Sequence, residues 1–444
     1  MQIATVFSLY ILLLSWVSLT IQGFGPAPAP DSGDGVDLSP KYETISDPPA
    51  LSPASGISGE RNPHYEMDRA PAPAPGKADK EAEMPGDFPA IPPPPPPPED
   101  KDSSTVKWCA VRDEFVDCQY YLNLLGKTDS YNWKCVKRET TQECLDSIRN
   151  GEADLINLDA GLAYIAFLNY SMKAIANEVY CNHAESYDAV AIVNRKVCNH
   201  KVEISLMDFK GKRSCHGGYS TAMGWNYPVN HLKKLVSSKK LNDEEIVTGF
   251  FSEVCAPSEF EGFGVCSGCG NENSSCNSNS LYSGHSGAFR CLVEELGDIA
   301  FVKADTALVF SMEGPNNQTW STKSIRDFMY LCPQGGCREI NGYPGDCSFG
   351  TVPANVVMAS NSISREKRLV VLQSLLNATW IDALYTGKNG AGHLLSSSAQ
   401  GLAQVKKLTR SYLGKSASIS QSIQELNTKK VEVSSAKVES GSGI

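Results

Sequence analysis

The stretch Asp154-Leu-Ile-Asn-Leu-Asp-Ala-Gly161 decides the fold of this chain, because an apolar run ends there in an aspartate and two small residues. An aspartate at the carboxyl end of a strand in an α/β sheet points into the crevice where such folds bind ligands. Asp159 also stands where a helix beginning near Gly161 needs an N-cap, a common role of aspartate. The stretch predicts a strand followed by a helix and leaves both interpretations of Asp159 open.

Strand-like and helical runs alternate along the rest of the chain. Ala189–Val193 and Ile299–Val302 are typical of buried strands, whereas Gly161–Phe167 and Ile363–Leu376 are typical of helices. This alternation predicts an α/β fold with mixed sheets. The globular composition extends from 105 to 428, which is more than one core usually holds, so we expect two subdomains.

The amino-terminal part of the chain is predicted to lie outside this globular region. Residues 1–23 form an uncharged apolar run typical of a secretory signal peptide, with a retained signal anchor as the alternative. Residues 24–104 hold 20 of the 26 prolines and most of the net negative charge, so we expect a disordered, acidic, proline-rich arm. Its Ala-Pro repeats resemble the glycomodules of plant cell-wall arabinogalactan proteins, and an unmodified linker is the alternative. Residues 429–444 are expected to form a disordered tail.

The cysteines and sequons are typical of an extracellular protein. All 15 cysteines lie between Cys109 and Cys347, and after an export signal the expected state of such a set is a disulfide framework. Four Asn-x-Ser/Thr sequons predict glycosylation at Asn169, Asn273, Asn317 and Asn377. We therefore expect a secreted glycoprotein of the cell wall or cell surface.

A second informative stretch is the Gly-rich segment Arg213–Asn226, which includes Cys215-His-Gly-Gly-Tyr-Ser-Thr-Ala-Met-Gly224. Its small residues suit a tight turn before a helix, and the free N–H groups of a first helical turn attract anions. A plain connecting loop is the alternative from this feature alone.

Taken together, these stretches resemble one lobe of a transferrin. The resemblance covers about 105 to 428 and rests on further motifs in the same order and spacing: Val106–Val111, Gly151–Gly161, Arg213–His216, Gly224–Asn226, Cys266–Cys269, Tyr282–Leu292, Gly297–Lys303, Asp346–Cys347 and Val352–Pro353. We find no internal repeat, so a single-lobe (monolobal) protein is expected.

The resemblance implies two α/β subdomains around a ligand cleft, similar to type II periplasmic binding proteins. The chain is expected to cross between them near Tyr187 and again near Val352. Subdomain 1 then comprises residues 105–187 and 353–428, and subdomain 2 comprises residues 188–352. Closure of the cleft about these crossings is the expected motion.

The resemblance also implies most of the disulfide pairing. By position in the family, the expected pairs are Cys109–Cys144, Cys118–Cys135, Cys215–Cys291, Cys255–Cys266 and Cys332–Cys347. Proximity in sequence suggests Cys269–Cys276 and Cys181–Cys198 as well, which leaves Cys337 free or intermolecular.

In transferrins a ferric ion is held by one Asp, two Tyr and one His together with carbonate, which rests on a helix N-terminus beside an Arg and a Thr. Position by position, this resemblance implies the metal set Asp159, Tyr187, His285 and Asn355, in which the second Tyr is replaced by His and the His by Asn. The implied anion-binding positions are Gly217 in place of the Thr, Thr221 in place of the Arg, and the backbone of Met223 and Gly224. The family's acid-release lysines correspond to Lys303 and Ser396, so that switch is broken.

These exchanges change the expected ligand chemistry. Ferric iron prefers anionic oxygens, and the set offers one phenolate fewer. The missing Arg removes a charge-assisted anchor for carbonate. Tight ferric binding is therefore not expected, whereas Asp159, Tyr187 and His285 form an O,O,N set that suits ferric or ferrous iron, copper or zinc.

Two functional hypotheses remain open. One is a secreted transferrin-like binding protein whose cofactor is iron or another transition metal with carbonate or another small anion. The other is a non-metal-binding extracellular or cell-wall protein that uses the lobe as a scaffold and binds cell-wall or membrane-surface partners. No Ser-His-Asp or Cys-His motif predicts an enzyme, and the nearly neutral lobe gives no support for nucleic-acid binding.

Overall fold

In a computed structural model of the chain, the described residues are 104–126, 131–201, 203–237, 241–270, 276–377 and 394–439, with side chains of the last helix described as far as residue 424. All of them belong to the compact unit 93–444. The expected signal peptide, nearly all of the proline-rich arm and the sequon at Asn273 lie outside the described residues.

The strands fall into two sheets. Their bounds are β1 Thr105–Val111, β2 Asn132–Arg138, β3 Leu155–Leu158, β4 Lys173–Val179, β5 Ser186–Asn194, β6 Arg213–His216, β7 Glu253–Cys255, β8 Ile299–Lys303, β9 Phe328–Leu331, β10 Cys337–Arg338, β11 Gly350–Pro353, β12 Val356–Ala359 and β13 Gly401–Gln404. The first sheet has the order β13-β4-β12-β3-β1-β2, and the second has the order β10-β9-β5-β8-β6-β7 with β11 paired to β5. Both sheets mix parallel and antiparallel pairs.

Helices connect and cover these strands. Their bounds are α1 Glu114–Leu125, α2 Thr141–Arg149, α3 Ala160–Tyr170, α4 Arg195–His200, α5 Tyr227–Leu235, α6 Asp243–Phe250, α7 Gly284–Val293, α8 Thr306–Phe310, α9 Arg365–Leu375 and α10 Thr409–Glu439. Polar side chains fix several of the starts: the Thr140 hydroxyl accepts from Glu143 N–H, and Asn242 and Glu245 form a reciprocal capping box. This arrangement confirms the predicted fold class, two α/β subdomains cross-linked by disulfides.

Two neighbouring strands carry the chain between the sheets. After β4 of the first sheet the chain enters β5 of the second, and it returns through β11 into β12, which lies between β3 and β4. β5 and β11 are antiparallel partners, with Tyr187 opposite Val352 and Ser186 opposite Pro353. The two crossings therefore lie side by side.

The carboxyl-terminal helix is long and is interrupted once. α10 is broken at Gly414, where φ is 51° and ψ is −123°, and then continues to Glu439. No glycine or proline interrupts the sequence between Lys415 and Glu439, so nothing in the backbone chemistry ends the helix at 428. The helix thus includes residues 429–439, and the disorder expected of the tail from 429 stays a prediction.

The structure contains seven disulfides. Four have the pairing that the resemblance implied: Cys109–Cys144, Cys118–Cys135, Cys215–Cys291 and Cys332–Cys347. The other three are Cys255–Cys269, Cys266–Cys276 and Cys198–Cys337. The cysteine without a disulfide is the exposed Cys181, so the expected pairs Cys255–Cys266, Cys269–Cys276 and Cys181–Cys198, and the unpaired Cys337, were wrong.

Local packing explains these differences. Val265 pairs with Ala256, and Gly268 N–H donates to the carbonyl of Val254, which is the register that brings Cys269 opposite Cys255 with a Cα–Cα distance of 4.7 Å. Cys198 lies on α4, whose Arg195 forms an ion pair with Glu339 just beyond β10. This contact brings α4 against the start of β10, where Cys337 lies, although 139 residues separate the two cysteines.

Within the described part of the chain, no helix is both long and apolar enough to cross a membrane.

Candidate functional site

Asp159 combines the two roles that the sequence left open. It follows the buried strand β3 and caps α3, since its Oδ1 accepts from Gly161 N–H at 2.7 Å and from Leu162 N–H at 3.4 Å. The same oxygen accepts from Ala222 N–H at 2.8 Å, which joins it to the Gly-rich segment. Its Oδ2 is buried and has no hydrogen-bond partner among the described residues. Burial raises the pKa of the Asp159 carboxyl, and the hydrogen bonds from Ala222 and Gly161 oppose that rise.

The Gly-rich segment forms a tight turn between β6 and a helix. One π-helical turn, Ala222–Asn226, leads directly into α5. Thr221, one of the anion-binding positions that the resemblance implied, donates its hydroxyl to the carbonyl of Gly218 at 2.8 Å. Met223 and Gly224 are buried within the π-helical turn. Gly224 packs so closely on Gly217 that a Cβ there would lie 2.6 Å from the Gly217 nitrogen.

His285 packs against Gly217. It is the second residue of α7, and its Nδ1 lies only 2.2 Å from the point where a Cβ on Gly217 would stand. The imidazole therefore occupies the space that a side chain at 217 would fill. Nδ1 is buried and has no hydrogen-bond partner among the described residues. Burial, followed by the positive charge of Lys303, lowers the pKa of His285 to about 4, so the ring is neutral at pH 7.

Tyr187 belongs to a different group of side chains. The Lys303 ammonium lies 4.3 Å from the centroid of the Tyr187 ring and 5.2 Å from that of Tyr180. Lys303 is buried, forms an ion pair with Asp305 at 3.3 Å and donates to the Ser398 hydroxyl. Burial, and then the negative charge of Asp305, raise the pKa of the Tyr187 hydroxyl above its ordinary value. The phenol is therefore neutral in this environment.

Asn355 lies between β11 and β12, where the chain returns to the first sheet. Its backbone N–H donates to the Tyr180 hydroxyl at 3.1 Å, and its carbonyl accepts from Glu178 N–H at 2.8 Å. A cleft of about 200 Å³ brings it together with four other residues singled out in the sequence, namely Asp159, Gly217, Thr221 and Ser396. The structure thus brings these residues together at one cleft, and His285 packs against Gly217.

Within the described residues, no three His, Cys, Asp or Glu side chains are grouped closely enough to hold a metal ion. Asp159 and His285 nevertheless each present a buried polar atom without a partner. Those two atoms fit a metal or polar ligand. Tyr187 lies under the Lys303 ammonium and its raised pKa keeps the hydroxyl protonated, so it offers a phenol and not a phenolate.

Sequence reasoning missed Glu178, a fully buried carboxylate beside this cleft. It accepts from Asn157 Nδ2 at 2.8 Å and from Ser396 N–H at 2.7 Å, and the Ser396 hydroxyl bonds to its other oxygen. An available signal was its position near the carboxyl end of β4, the same feature that drew attention to Asp159.

The other predicted positions are on the surface where they are described. Asn169 and Asn317 are exposed, Asn377 is partly exposed, and Asn317 donates from its side chain to the carbonyl of Met312. Glycosylation at these positions remains a prediction.

Two α/β subdomains, with a cleft lined by a strand-end aspartate and a Gly-rich turn, define a cleft-type ligand-binding lobe. The family model described as transferrin matches residues 106–427. The chain belongs to the transferrin family.

Individual relatives agree with this. The chain is 32% identical over 290 residues to serotransferrin of Rattus norvegicus (62% of this chain and 38% of the relative). It is 33% identical over 267 residues to ovotransferrin of Gallus gallus (58% and 36%) and 34% identical over 251 residues to transferrin of Blaberus discoidalis (51% and 34%). The matched region thus spans well under half the length of these relatives.

Proposed function

We propose that this chain is a secreted, single-lobe transferrin-like binding protein whose cleft takes a metal ion or small anion weakly or with altered selectivity. The observation that carries the proposal is the pair of buried atoms without partners, Asp159 Oδ2 and His285 Nδ1. A buried polar atom without a hydrogen bond costs about 1–3 kcal/mol. A ligand that bonds to either atom recovers part of that cost.

The geometry argues against the ferric-carbonate pair of the family. A phenolate at Tyr187 requires loss of a proton that burial and Asp305 both retain. Thr221 donates its hydroxyl to the carbonyl of Gly218, so it does not bind carbonate as the guanidinium of the family's Arg does. Each charged hydrogen bond lost with that guanidinium is worth about 1.5–3 kcal/mol.

The same geometry supports a softer or less highly charged metal. A neutral imidazole is the protonation state that binds metals, and the lowered pKa keeps His285 in that state at pH 7. Asp159 supplies a carboxylate oxygen, and Tyr187 supplies a third donor once its hydroxyl loses its proton. Zinc, copper and ferrous iron accept such mixed N and O ligands.

Calorimetric titration of the purified chain with Zn²⁺, Cu²⁺ and Fe²⁺, and with Fe³⁺ plus bicarbonate, tests this proposal. Asp159→Asn and His285→Gln should each weaken binding at least about tenfold, whereas the exposed His200→Gln serves as the matched control. The visible tyrosinate-to-iron band should be weak with Fe³⁺. A strong band would refute the altered selectivity, and no heat with any metal or small anion would refute binding itself.

One observation favours the scaffold as a second candidate. Lys303 already supplies a positive charge at Tyr187 and Asp305, so this part of the lobe is stabilised without a metal. If the lobe acts as a scaffold, the arm at 24–104 provides attachment to a cell wall. Hydroxyproline and arabinogalactan sugar in the native protein would support this candidate, and an unmodified arm would count against it.

We also propose that the subdomain boundaries lie at 187/188 and 352/353. Tyr187 and Val352 are register partners in the paired crossing strands, so bending there changes both connections together. Small-angle scattering with and without the metal that binds tests whether the lobe closes about them.

A further inference from the structure

A cavity of about 720 Å³ lies apart from the cleft of Asp159. Its walls are residues 403–407 and 412–416, the two ends of segment 403–416 that runs from β13 into α10, and the two crossing strands at Ser186, Thr351 and Pro353. A volume of this size is in the range of small-molecule sites.

The strand β4 separates this cavity from the cleft of Asp159. Asn177 lines the cavity, while the next residue, Glu178, bonds to Asn157 and Ser396, which line the cleft. Successive residues of a strand point to opposite faces. The cavity is therefore separate from the cleft, and no residue lines both.

The charge of the cavity wall is positive. Lys406, Lys407 and Lys415 line it, against the single carboxylate of Glu185. None of the ion pairs found between described residues involves these three lysines. Their charge is thus available to a ligand, and Ser186 adds a hydroxyl on the same wall.

The backbone break in α10 shapes one side of the cavity. Gly414 has φ 51° and ψ −123°, a conformation that is essentially restricted to glycine. The break lies between Tyr412 and Lys415, which both line the cavity. Lys415 Nζ comes within 3.9 Å of where a Cβ on Gly350 would stand, so the ammonium lies against the start of β11. Because the helix is broken at Gly414, Lys415 lines the same cavity as Lys406 and Lys407.

We propose that this cavity is a second binding site, for a small oxyanion that carries several negative charges, such as a phosphorylated or polycarboxylate metabolite. Three lysines around a concave wall favour a polyvalent anion over a monovalent one, because each additional charge is paired. The site is independent of the ligand proposed for the cleft.

Calorimetry on metal-free protein with inorganic pyrophosphate and, separately, citrate tests the proposal, with sodium chloride of equal ionic strength as the baseline. We expect saturable binding of at least one probe, and the stronger probe identifies phosphate or carboxylate chemistry. The triple variant Lys406→Gln/Lys407→Gln/Lys415→Gln should weaken it at least about tenfold.

A matched control removes the same charge elsewhere, at exposed lysines: Lys210→Gln/Lys212→Gln/Lys234→Gln. This control should bind within about twofold of the wild type. Gly414→Ala tests the shape of the wall without removing charge, because a Cβ there meets no atom within 4 Å and only the backbone is strained. It should also weaken binding. No saturable heat with either probe, or equal weakening in the two triple variants, would overturn the proposal.

Discussion

The contact between His285 and Gly217 predicts a stability coupling between the two positions. A Cβ on Gly217 would stand 2.2 Å from His285 Nδ1 and 2.8 Å from Cε1, so the ring must move by roughly 1 Å to reach an ordinary contact. Gly217 has no positive φ, hence alanine brings no backbone strain. Gly217→Ala should therefore lower the free energy of unfolding by about 1–3 kcal/mol, the usual cost of overpacking.

A double-mutant cycle isolates the cause. In a His285→Ala background the obstructing ring is gone, and Gly217→Ala should cost less than about 0.5 kcal/mol. Gly224→Ala is the matched control, since its Cβ would meet the nitrogen, Cα and carbonyl carbon of Gly217 at 2.6–2.8 Å. Removing the imidazole does not relieve that contact, so the control should keep its full cost in both backgrounds.

The measurement is guanidinium unfolding, followed by tryptophan fluorescence with the disulfides intact, for the four members of each cycle. If Gly217→Ala costs the same with and without the imidazole, His285 does not occupy the space above Gly217. The packing argument for glycine at 217 would then be wrong.

Three further predictions concern protonation and covalent bonds. The pKa of His285 is about 4 in the folded chain, below its ordinary 6.5, so the unfolded chain binds the extra proton between these values. The wild type should therefore lose more unfolding free energy than His285→Gln as pH falls from 6.5 to 4. Denaturation of both proteins at several pH values checks this, and parallel curves of unfolding free energy against pH would contradict it. Removing the disulfide Cys198–Cys337 with alanines should cost about 4 kcal/mol, against about 3 for Cys266–Cys276. The first bridge spans 139 residues, shortened by the intact Cys215–Cys291 bridge inside them, and the second spans 10; equal unfolding free energies would refute the loop argument. Thiol titration of the native chain should find one reactive group, and Cys181→Ser should abolish it; a signal that persists would mean that one of the seven bridges is open.

The sheets were predictable because their central strands are continuous apolar runs. β5 and β8 contain the runs recognised in the sequence, and both are buried on the two faces of the second sheet. The length of α10 was not predicted, since its Ser- and Lys-rich end resembles a disordered tail in composition. The disulfide Cys198–Cys337 was also not predicted, because it depends on the packing of α4 against β10.

The candidate site was predicted position by position, but not as contacts. Sequence register placed His285 and Gly217 at two separate family positions, a metal ligand and an anion anchor. In the structure they touch, since a Cβ on Gly217 would lie 2.2 Å from His285 Nδ1, so the imidazole in this position requires glycine at 217. Such a dependence cannot be seen in one sequence, since the positions are far apart along the chain.

The charge of Lys303 near Tyr187 affects which metal ion the cleft can bind. Lys303 lies over Tyr187 and pairs with Asp305, so an internal cation already balances that side. Asp159 Oδ2 and His285 Nδ1 lack a hydrogen-bond partner among the described residues, whereas the Asp305 oxygens, also without a hydrogen bond, have the Lys303 ammonium beside them. A metal that requires the phenolate of Tyr187 must displace or tolerate a buried ammonium nearby, and this repulsion grows with the charge of the metal. The charge of Lys303 also acts on His285, whose pKa it lowers. A divalent ion bound by Asp159 and His285 therefore meets less repulsion than a ferric ion does, which is the physical reason to expect altered selectivity from a lobe that keeps the family's fold.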